Sequence, residues 1–394
     1  MGQFEMNKKL NVTLFCVSFR FSNIEFKKPP FQIMKAIHDV YGVTSNIVFD
    51  EELYPLYYKE NNLKINESVD GVNLINLSDG DRELPVLKRY LQYIEDNADN
   101  IDVMMLFHCT KYGAIISNYY KKKNPRGKVV DVMDNRFNIN KESILIRFLK
   151  TIKRNVFNRN IIQFIKKTCD EFLICTKKEY DYLKNNKFFS KDISSRISHV
   201  PYGIQFSNNE NTVTDKKKKF ITVGRIGTSE KNTSLILKAI DGLDLKDWEF
   251  DFIGPIEDSF NMEIKDFFEK NENLKDKVKF IGAVEDRELL KQYYSESSVF
   301  VLSSKYESFG LVLVEALSFG NYLLSTDVGV ASELINNNNC GKIFCTADEL
   351  KDYMIKIINN VIDISEACEC ASKVRSDYSW NNIVGNIKSL EAIL

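Results

Sequence analysis

Short apolar runs alternate with stretches of helical periodicity along most of the chain. Short continuous apolar runs bounded by polar turns are typical of buried parallel strands, and apolar residues at every third or fourth position are typical of helices. In the first half the runs predict strands at 10–19, 45–49, 72–77, 101–107, 129–133, 171–176 and 197–200. Helical patterns at 30–40, 85–97 and 142–167 separate several of these strands. Such alternation predicts a largely parallel sheet.

A polar and charged stretch at 207–219 separates this half from a second alternating series. There the pattern predicts strands at 220–224, 248–253, 278–281, 299–302 and 322–325, with helices at 235–240, 287–294, 347–360 and 364–376. We therefore predict an α/β protein of two Rossmann-like domains, 1–205 and 206–376, with ligands in the cleft between them at the carboxyl ends of the strands. After Ser379, a good N-cap, a last amphipathic helix within 377–394 is expected to pack back toward the first domain.

Composition and charge agree with a globular protein of two domains. The 394 residues are 44% hydrophobic and 28% charged, and the net charge is −1. Residues 1–205 carry 32 Lys and Arg against 24 Asp and Glu, a net +8, whereas residues 206–394 carry 22 against 31, a net −9. This asymmetry indicates that the two halves face different partners.

The eight cysteines and three histidines do not predict a metal site. No Cys-x2-Cys pair occurs, so zinc is not expected, and several cysteines lie in apolar runs where a thiol acts as a small hydrophobe. No run approaches the roughly 20 apolar residues of a membrane span, and no secretory apolar segment follows Met1. These features predict a cytosolic, reduced protein.

One strand–loop–helix stretch, 299–320, concentrates the candidate chemistry. The apolar run 299–302 is followed by a polar turn with Glu307, and Gly310 precedes a helical pattern that stops near Gly320. The unpaired backbone N–H groups at such a helix start attract anions and hydroxyls. Glu307 lies at the loop and Glu315 in the second helical turn, so the pattern suits a ligand with both phosphate and sugar hydroxyls.

This stretch resembles the signature of the retaining glycosyltransferases of family 4, which have the two-domain GT-B fold. That signature runs Glu-Gly/Ser-Phe-Gly-Leu-x3-Glu-Ala, and here it reads Glu307-Ser308-Phe309-Gly310-Leu311-Val-Leu-Val-Glu315-Ala316. The resemblance implies that Glu307 faces the hydroxyls of the donor sugar and that Glu315 binds the ribose. It also implies that backbone groups near Phe309–Leu311 hold the diphosphate or the sugar.

Two cations after the first strand of the second half extend the resemblance. Arg225 and Lys231 flank a glycine-containing turn, an arrangement that can hold a diphosphate or belong to a solvated basic loop. The segment resembles the family's Gly-Arg-x5-Lys-Gly motif, which implies that both cations neutralise the leaving diphosphate, although Asn232 replaces the last glycine. The segment Gly282-Ala283-Val284 resembles the strand end that meets the nucleotide base through backbone groups. Residues 326–333 resemble the family's Asp-x-Gly-Gly-x2-Glu segment, with Val330 in place of the second glycine.

The first half matches the family mainly in architecture. His108 follows the strand 101–107, where the family often has a histidine beside the donor sugar; a satisfied core histidine is the alternative. The loop after the first strand lacks the Gly-Gly with which family members approach the diphosphate, and Arg20 and Ser22 are the candidates to replace it. Asp79-Gly80-Asp81 is interpreted as a turn.

The segment 121–167 is strongly basic, with apolar residues near helical spacing in its second part. A basic amphipathic helix can bind anionic lipid, and the alternative is a packed helix with a solvated basic face. Nucleic acid is not an expected partner, because no recognition motif is present.

The combined prediction is a retaining hexosyl- or N-acetylhexosaminyltransferase of the GT-B fold. It would take UDP- or GDP-sugar as donor, need no metal or other cofactor, and act on a glycan or lipid-linked acceptor in cell-surface polysaccharide or glycoconjugate synthesis. The expected location is cytoplasmic, or peripheral on the inner face of the membrane. A nucleotide-sugar epimerase of the same fold and a non-catalytic nucleotide-sugar-binding protein are the alternatives.

Overall fold

The computed structural model describes residues 9–19, 21, 23–53, 67–79, 84–108, 110–133, 163–185, 191–205 and 216–393. The chain forms two compact units: Met1–Gly203 together with Trp380–Leu394, and Ile204–Ser379. Each unit contains one sheet with helices between successive strands. The predicted pair of Rossmann-like α/β domains is confirmed.

The first unit is built on an eight-stranded sheet of order β3-β4-β2-β1-β5-β6-β7-β8. Its strands are β1 Asn11–Phe15, β2 Thr44–Phe49, β3 Ser68–Val69, β4 Val72–Asn76, β5 Val103–Phe107, β6 Lys128–Met133, β7 Glu171–Ile174 and β8 Ile197–His199. All neighbours are parallel except β3 and β4. The described helices of this sheet are Pro29–Tyr41, Val86–Asn97, Lys111–Lys123, Lys177–Asn185 and Lys191–Ser195.

The second unit has a fully parallel six-stranded sheet of order β11-β10-β9-β12-β13-β14. The strands are β9 Lys217–Val223, β10 Glu249–Ile253, β11 Val278–Gly282, β12 Ser297–Leu302, β13 Tyr322–Ser325 and β14 Gly341–Ile343. The helices are Thr233–Ile240, Asn261–Lys270, Arg287–Glu296, Leu311–Ser318, Ala331–Asn338, Ala347–Ile358 and Glu366–Asp377. This is a doubly wound strand order: β10 and β11 are added on one side of β9, and β12, β13 and β14 on the other. Ligands bind at the carboxyl ends of the strands where the order reverses, here between β9 and β12.

A row of stacked aromatic rings fills one side of the second sheet. The rings of Phe220, Phe250, Phe252 and Phe280 follow one another across β9, β10 and β11 at centroid distances of 5.9, 4.5 and 4.5 Å. Phe220, Phe250 and Phe252 are fully buried. Because these strands are covered on both faces, their side chains form a continuous core that fixes the strand ends beneath the site described below.

Two local predictions in this unit and at the C-terminus are wrong. The polar stretch was expected to reach residue 219, but β9 begins at Lys217, because Lys217, Lys218 and Lys219 form ion pairs with Glu296, Asp247 and Asp251. The expected single C-terminal helix is divided into Trp380–Ile383, a 3₁₀ turn Val384–Asn386 and Lys388–Glu391. Gly385 and Asn386 are weak helix formers and lie where the helix is interrupted.

The C-terminal segment contacts the first sheet through a buried carboxylate. Glu171, in β7, accepts hydrogen bonds from the backbone N–H groups of Lys388 and Ser389 at 3.1 and 2.7 Å, and from the hydroxyl of Ser198 at 2.5 Å. A carboxylate at the start of a helix accepts hydrogen bonds from backbone N–H groups that have no partner within the helix. Its negative charge also interacts favourably with the positive end of the helix dipole.

Candidate functional site

The loops that follow β9 and β12 meet at the switch point of the second sheet. The backbone N–H of Lys305 donates to the carbonyl of Glu230 at 2.7 Å, and the Ser303 hydroxyl donates to the carbonyl of Lys231 at 2.9 Å. These bonds join two segments that lie more than 70 residues apart in sequence. The segment with the predicted cations and the segment with Glu307 are therefore held side by side.

Close backbone approach shapes the turn after β9. A side chain on Gly254 would place its Cβ 1.8 Å from the carbonyl oxygen of Gly224, so the ends of β9 and β10 meet only because Gly254 has none. Asn232, which replaces the family's usual glycine, has φ 52° and ψ 43°. Asparagine tolerates this left-handed conformation better than other residues with a Cβ, which explains how the turn keeps its shape without the glycine.

The two predicted cations differ in their surroundings. The Arg225 guanidinium is exposed and binds the carboxylate of Glu230 at 2.9 Å. Lys231 is 21% exposed, and its Nζ lies 2.6 Å from Oε1 of Glu307, which is 14% exposed. Two residues that the resemblance assigns to different parts of one ligand therefore form an ion pair with each other.

Glu307 has a second hydrogen-bond donor in addition to Lys231. The Ser304 hydroxyl donates to the same Oε1 at 2.7 Å, and the Thr326 hydroxyl in turn donates to the carbonyl of Ser304 at 2.6 Å. The carboxylate is thus oriented by residues at the ends of β12 and β13. An oriented, partly buried carboxylate is suited to accept hydrogen bonds from hydroxyl groups.

The helix Leu311–Ser318 begins at the switch point. Gly310 precedes it with φ 86° and ψ 53°, a left-handed conformation that glycine adopts without strain. Phe309 is buried and its ring lies 6.3 Å from that of Tyr378, so Phe309 can offer a ligand only its backbone. Its carbonyl accepts a hydrogen bond from Val330 at 2.8 Å. A helix start leaves backbone N–H groups for an anion, although that of Leu313 donates to the Gly310 carbonyl at 2.9 Å.

The second glutamate of the signature, Glu315, is bracketed by one neighbouring helix. Nη1 of Arg287 lies 3.2 Å from its Oε1, and the Tyr294 hydroxyl lies 3.3 Å from its Oε2. Burial raises the pKa of Glu315, and the Arg287 guanidinium and the Tyr294 hydroxyl act in the opposite direction. Burial also raises the pKa of the Tyr294 phenol well above its ordinary value.

The segment predicted to meet the base follows β11. Gly282 has φ 80°, and its carbonyl accepts a hydrogen bond from the N–H of Gly254 at 2.8 Å. Ala283 is exposed and Val284 is half-buried. The segment lies at the carboxyl edge of the sheet and leads into the helix that carries Arg287 and Tyr294.

Three residues of this site were not singled out from the sequence: Ser304, Arg287 and Tyr294. Ser304 follows β12 directly, so its position at a strand end was a usable signal. Arg287 and Tyr294 lie on a predicted helix, and no local pattern marks them as partners of Glu315. Gly329 adds a close contact, since a Cβ there would lie 2.1 Å from the Phe309 carbonyl oxygen.

His108 belongs to the first unit, at the carboxyl end of β5. Its φ of 65° is uncommon for a residue other than glycine, and its backbone N–H donates to the carbonyl of Val132 at 2.9 Å. Strained backbone of this kind is enriched at functional sites. Its assignment beside the donor sugar stays a prediction. Arg20 and Ser22 lie outside the described residues.

The described part of the chain bears on the expectations for a metal site and a membrane span. There, no group of three or more His, Cys, Asp or Glu side chains is placed to hold a metal ion. No helix among these residues is long and apolar enough to cross a membrane. Most of the basic segment, residues 134–162, falls outside the described ranges, as does Gly80-Asp81. Near its start, Lys121 and Lys123 bind Asp170 and Glu95 at 2.8 and 2.6 Å.

The two doubly wound units and the strand-end site define a GT-B fold of the kind found in glycosyltransferases. Residues 204–373 match the family model of glycosyl transferases group 1. The chain is 34% identical over 186 residues to an uncharacterized 41.2 kDa protein in the cps region of Klebsiella pneumoniae, covering 46% of this chain and 49% of that protein. The chain therefore matches about half the length of this relative.

Solved structures resemble the chain over nearly its whole length. The sucrose-phosphate synthase from Thermosynechococcus elongatus has a TM-score of 0.65 at 14% identity, covering 98% of this chain and 99% of its own. Anabaena Alr3699/HepE in complex with UDP-glucose has a TM-score of 0.63 at 13% identity, covering 98% and 100%. At these identities the likeness establishes the fold.

Proposed function

We propose that the protein is a retaining glycosyltransferase that moves a sugar from a nucleoside diphosphate to a glycan or lipid-linked acceptor. The proposal rests on one observation: Nζ of Lys231 lies 2.6 Å from Oε1 of Glu307, beside the start of the helix Leu311–Ser318. A cation, a carboxylate and a helix start at one switch point match the three parts of such a donor: diphosphate, sugar hydroxyls and the charge that develops between them.

In the proposed reaction, the bond between the anomeric carbon and the diphosphate oxygen breaks ahead of attack by the acceptor. Arg225, Lys231 and the helix start stabilise the charge on the departing diphosphate, while Glu307 holds the sugar hydroxyls. A departing phosphate oxygen takes the proton of the acceptor hydroxyl as the new bond forms on the same face. Catalysis then consists of positioning and of stabilising the leaving group, and it requires neither a protein nucleophile nor a metal.

The proposed donor is a UDP- or GDP-sugar, with Glu315 binding the ribose and the backbone of Gly282, Ala283 and Val284 meeting the base. UDP is supported by the complex of the structurally similar Alr3699/HepE with UDP-glucose. A polysaccharide or glycoconjugate acceptor is supported by the relative in a cps region. The sugar transferred would be a hexose or an N-acetylhexosamine.

A donor screen followed by variant kinetics tests the proposal. Thermal shifts with UDP-, GDP- and ADP-sugars identify the donor, and release of nucleoside diphosphate is then measured with and without glycan acceptors. Arg225→Ala and Lys231→Ala are each expected to lower turnover on the order of 100-fold, the typical loss for one stabiliser of leaving-group charge. Lys265→Ala is the matched control, because it removes an exposed lysine that pairs with Glu269 within the helix Asn261–Lys270, outside the site.

Each alternative function has its own readout in the same assay. Conversion of the donor sugar into an isomer without an acceptor would assign an epimerase, and binding without any nucleotide release would assign a non-catalytic binding protein. Unchanged turnover in both cation variants would exclude the proposed leaving-group role.

We also propose that the basic segment 121–167 brings the protein to the anionic inner face of a membrane. Each Lys or Arg near such a surface contributes about 1 kcal/mol, and the attraction fades within a Debye length of about 8 Å at physiological salt. Cosedimentation with acidic liposomes should fall steeply with salt and when Lys150, Lys153 and Arg154 are changed to glutamine. Failure to sediment at low ionic strength would exclude the membrane role and leave the transferase proposal intact.

A further inference from the structure

One helix supplies both hydrogen-bond partners of Glu315. Arg287 and Tyr294 are seven residues apart on the helix Arg287–Glu296, so their side chains project from the same face, two turns apart. Arg287 approaches Oε1 at 3.2 Å and Tyr294 approaches Oε2 at 3.3 Å. Each oxygen of the carboxylate therefore has one protein donor.

The two donors differ in how firmly they are held. Tyr294 is 2% exposed, and its ring stacks on that of Phe319 at 5.8 Å and 7°. Its carbonyl accepts hydrogen bonds from the side chains of Lys216 and Asn321 at 3.1 and 2.9 Å. Arg287, the first residue of the helix, keeps 42% of its side chain exposed. Tyr294 therefore fixes the carboxylate, and Arg287 can adjust when a ligand arrives.

The remaining acceptor capacity of Glu315 matches a vicinal diol. An ionised carboxylate has about four lone-pair positions, two on each oxygen. Arg287 and Tyr294 use one position on each oxygen, which leaves one position on each. The 2′ and 3′ hydroxyls of a ribose are two adjacent donors and can fill both, whereas a 2′-deoxyribose can fill only one.

We propose that Arg287 and Tyr294 are positioning residues that orient Glu315 as a two-oxygen acceptor, so that the site selects ribonucleotides over 2′-deoxyribonucleotides. The inference rests on the proposed function, because it requires a nucleotide donor bound at Glu315. It assigns a specificity-determining role to two residues outside the signature motif.

The charges around Glu315 support this arrangement. Burial disfavours the ionised carboxylate and raises its pKa. Arg287 lowers that pKa more than Tyr294 does, and so counteracts part of the effect of burial. The helix Glu366–Asp377 also packs on the helix Leu311–Ser318. Its Arg375 donates to the Ser318 carbonyl at 2.5 Å, and its Cys368 thiol lies 3.5 Å from the Gly320 carbonyl oxygen. Strand β12 brings no titratable side chain, and β13 brings Tyr322. Arg287 is thus the cation that binds the carboxylate itself.

Calorimetry with UDP, GDP and their 2′-deoxy forms tests the inference between pH 5 and 8. The unaltered protein should prefer the ribose form by about tenfold, the usual effect of one hydrogen bond to a charged group. Arg287→Gln should weaken binding of the ribose form by a similar factor and reduce the preference. It should also move the acidic loss of affinity to higher pH, because Glu315 then protonates more readily. Arg287→Lys should restore part of both properties.

Two further variants separate positioning from loss of structure. Tyr294→Phe removes only the hydroxyl and should lower the ribose preference, with a smaller shift than Arg287→Gln in the pH at which affinity is lost. Lys291→Gln removes a cation on the same helix that pairs with Glu288, and should behave like the unaltered protein. Thermal unfolding of every variant shows whether it is folded at the temperature of the assay.

Each remaining outcome has a distinct meaning. Equal binding of ribose and 2′-deoxyribose forms by the unaltered protein, or an Arg287→Gln variant with an unchanged pH profile and preference, would overturn the inference and leave the proposed function standing. If neither UDP nor GDP binds in any form, both the inference and the proposed donor site are wrong.

Discussion

The ion pair between Lys231 and Glu307 predicts that removing a site carboxylate strengthens nucleotide binding. A diphosphate that binds Lys231 must first separate it from Glu307, 2.6 Å away. Both side chains are mostly buried, at 21% and 14% exposure, yet solvent still screens them, so we assign the pair about 1 kcal/mol. Glu307→Gln abolishes this cost, and 1 kcal/mol corresponds to about a fivefold change in affinity.

We therefore expect Glu307→Gln to bind free UDP or GDP more tightly than the unaltered protein, by up to about fivefold. The same variant should lose transfer on the order of 100-fold, because the sugar hydroxyls lose their charged acceptor. Glu315→Gln should do the reverse and mainly weaken binding of the free nucleotide. Calorimetry measures the affinities, and release of nucleoside diphosphate measures transfer.

A double-mutant cycle shows whether the effect comes from the pair. In a Lys231→Met background, Glu307→Gln should no longer strengthen binding, which gives a coupling free energy of about 1 kcal/mol. Asp352→Asn is the control and should change nothing, because it breaks an exposed pair with Lys356 within the helix Ala347–Ile358, outside the site. Weaker nucleotide binding by Glu307→Gln, or a coupling of zero, would refute the reasoning.

Three further predictions concern stability. Gly329→Ala places a Cβ 2.1 Å from a backbone oxygen at φ +52° and should lower the free energy of unfolding by about 1–3 kcal/mol. Gly385→Ala is the control, because a Cβ there has nothing within 4 Å and should not change stability. Equal melting temperatures of the two variants would contradict this prediction. Glu171→Gln should leave a buried N–H of the C-terminal segment without an acceptor, at a cost of about 1–3 kcal/mol, and should accelerate hydrogen exchange at Ser389; unchanged exchange there would exclude the cap. Burial lowers the pKa of Lys216 from 10.5 to about 8, so the unfolded chain binds more protons between these values and stability should rise with pH across that window. Lys216→Met should flatten this rise in urea titrations, and an unchanged slope would count against it.

Local patterns were sufficient to predict most elements of both sheets. The run 322–325 is the strand Tyr322–Ser325, and Pro30 lies in the first turn of the helix Pro29–Tyr41. Gly310 and Gly320 flank the helix Leu311–Ser318, both with positive φ, as expected for glycines at helix ends. Periodicity and chain-reversal signals are properties of neighbouring residues, which is why the sequence is sufficient to identify them.

The start of β9 and the end of the chain were decided by partners that are distant in sequence. A run of lysines has the composition of a linker, and it is a strand here because acidic residues 29 to 79 positions away pair with it. Likewise, the C-terminal turns bind Glu171, more than 200 residues earlier. Such contacts have no local signature, because the groups that satisfy each charge meet only after the sheet has formed.

The same division applies to the candidate site. The sequence by itself determined which residue types follow the strands β9 and β12: Arg225, Lys231, Glu307 and Glu315, each in a motif with its own spacing. Only the tertiary structure decided that Lys231 lies against Glu307 and that Arg287 and Tyr294 hold Glu315. The physical reason is the strand order. Because β9 and β12 are neighbours in the sheet, loops 76 residues apart share one edge, and their charges are satisfied by each other.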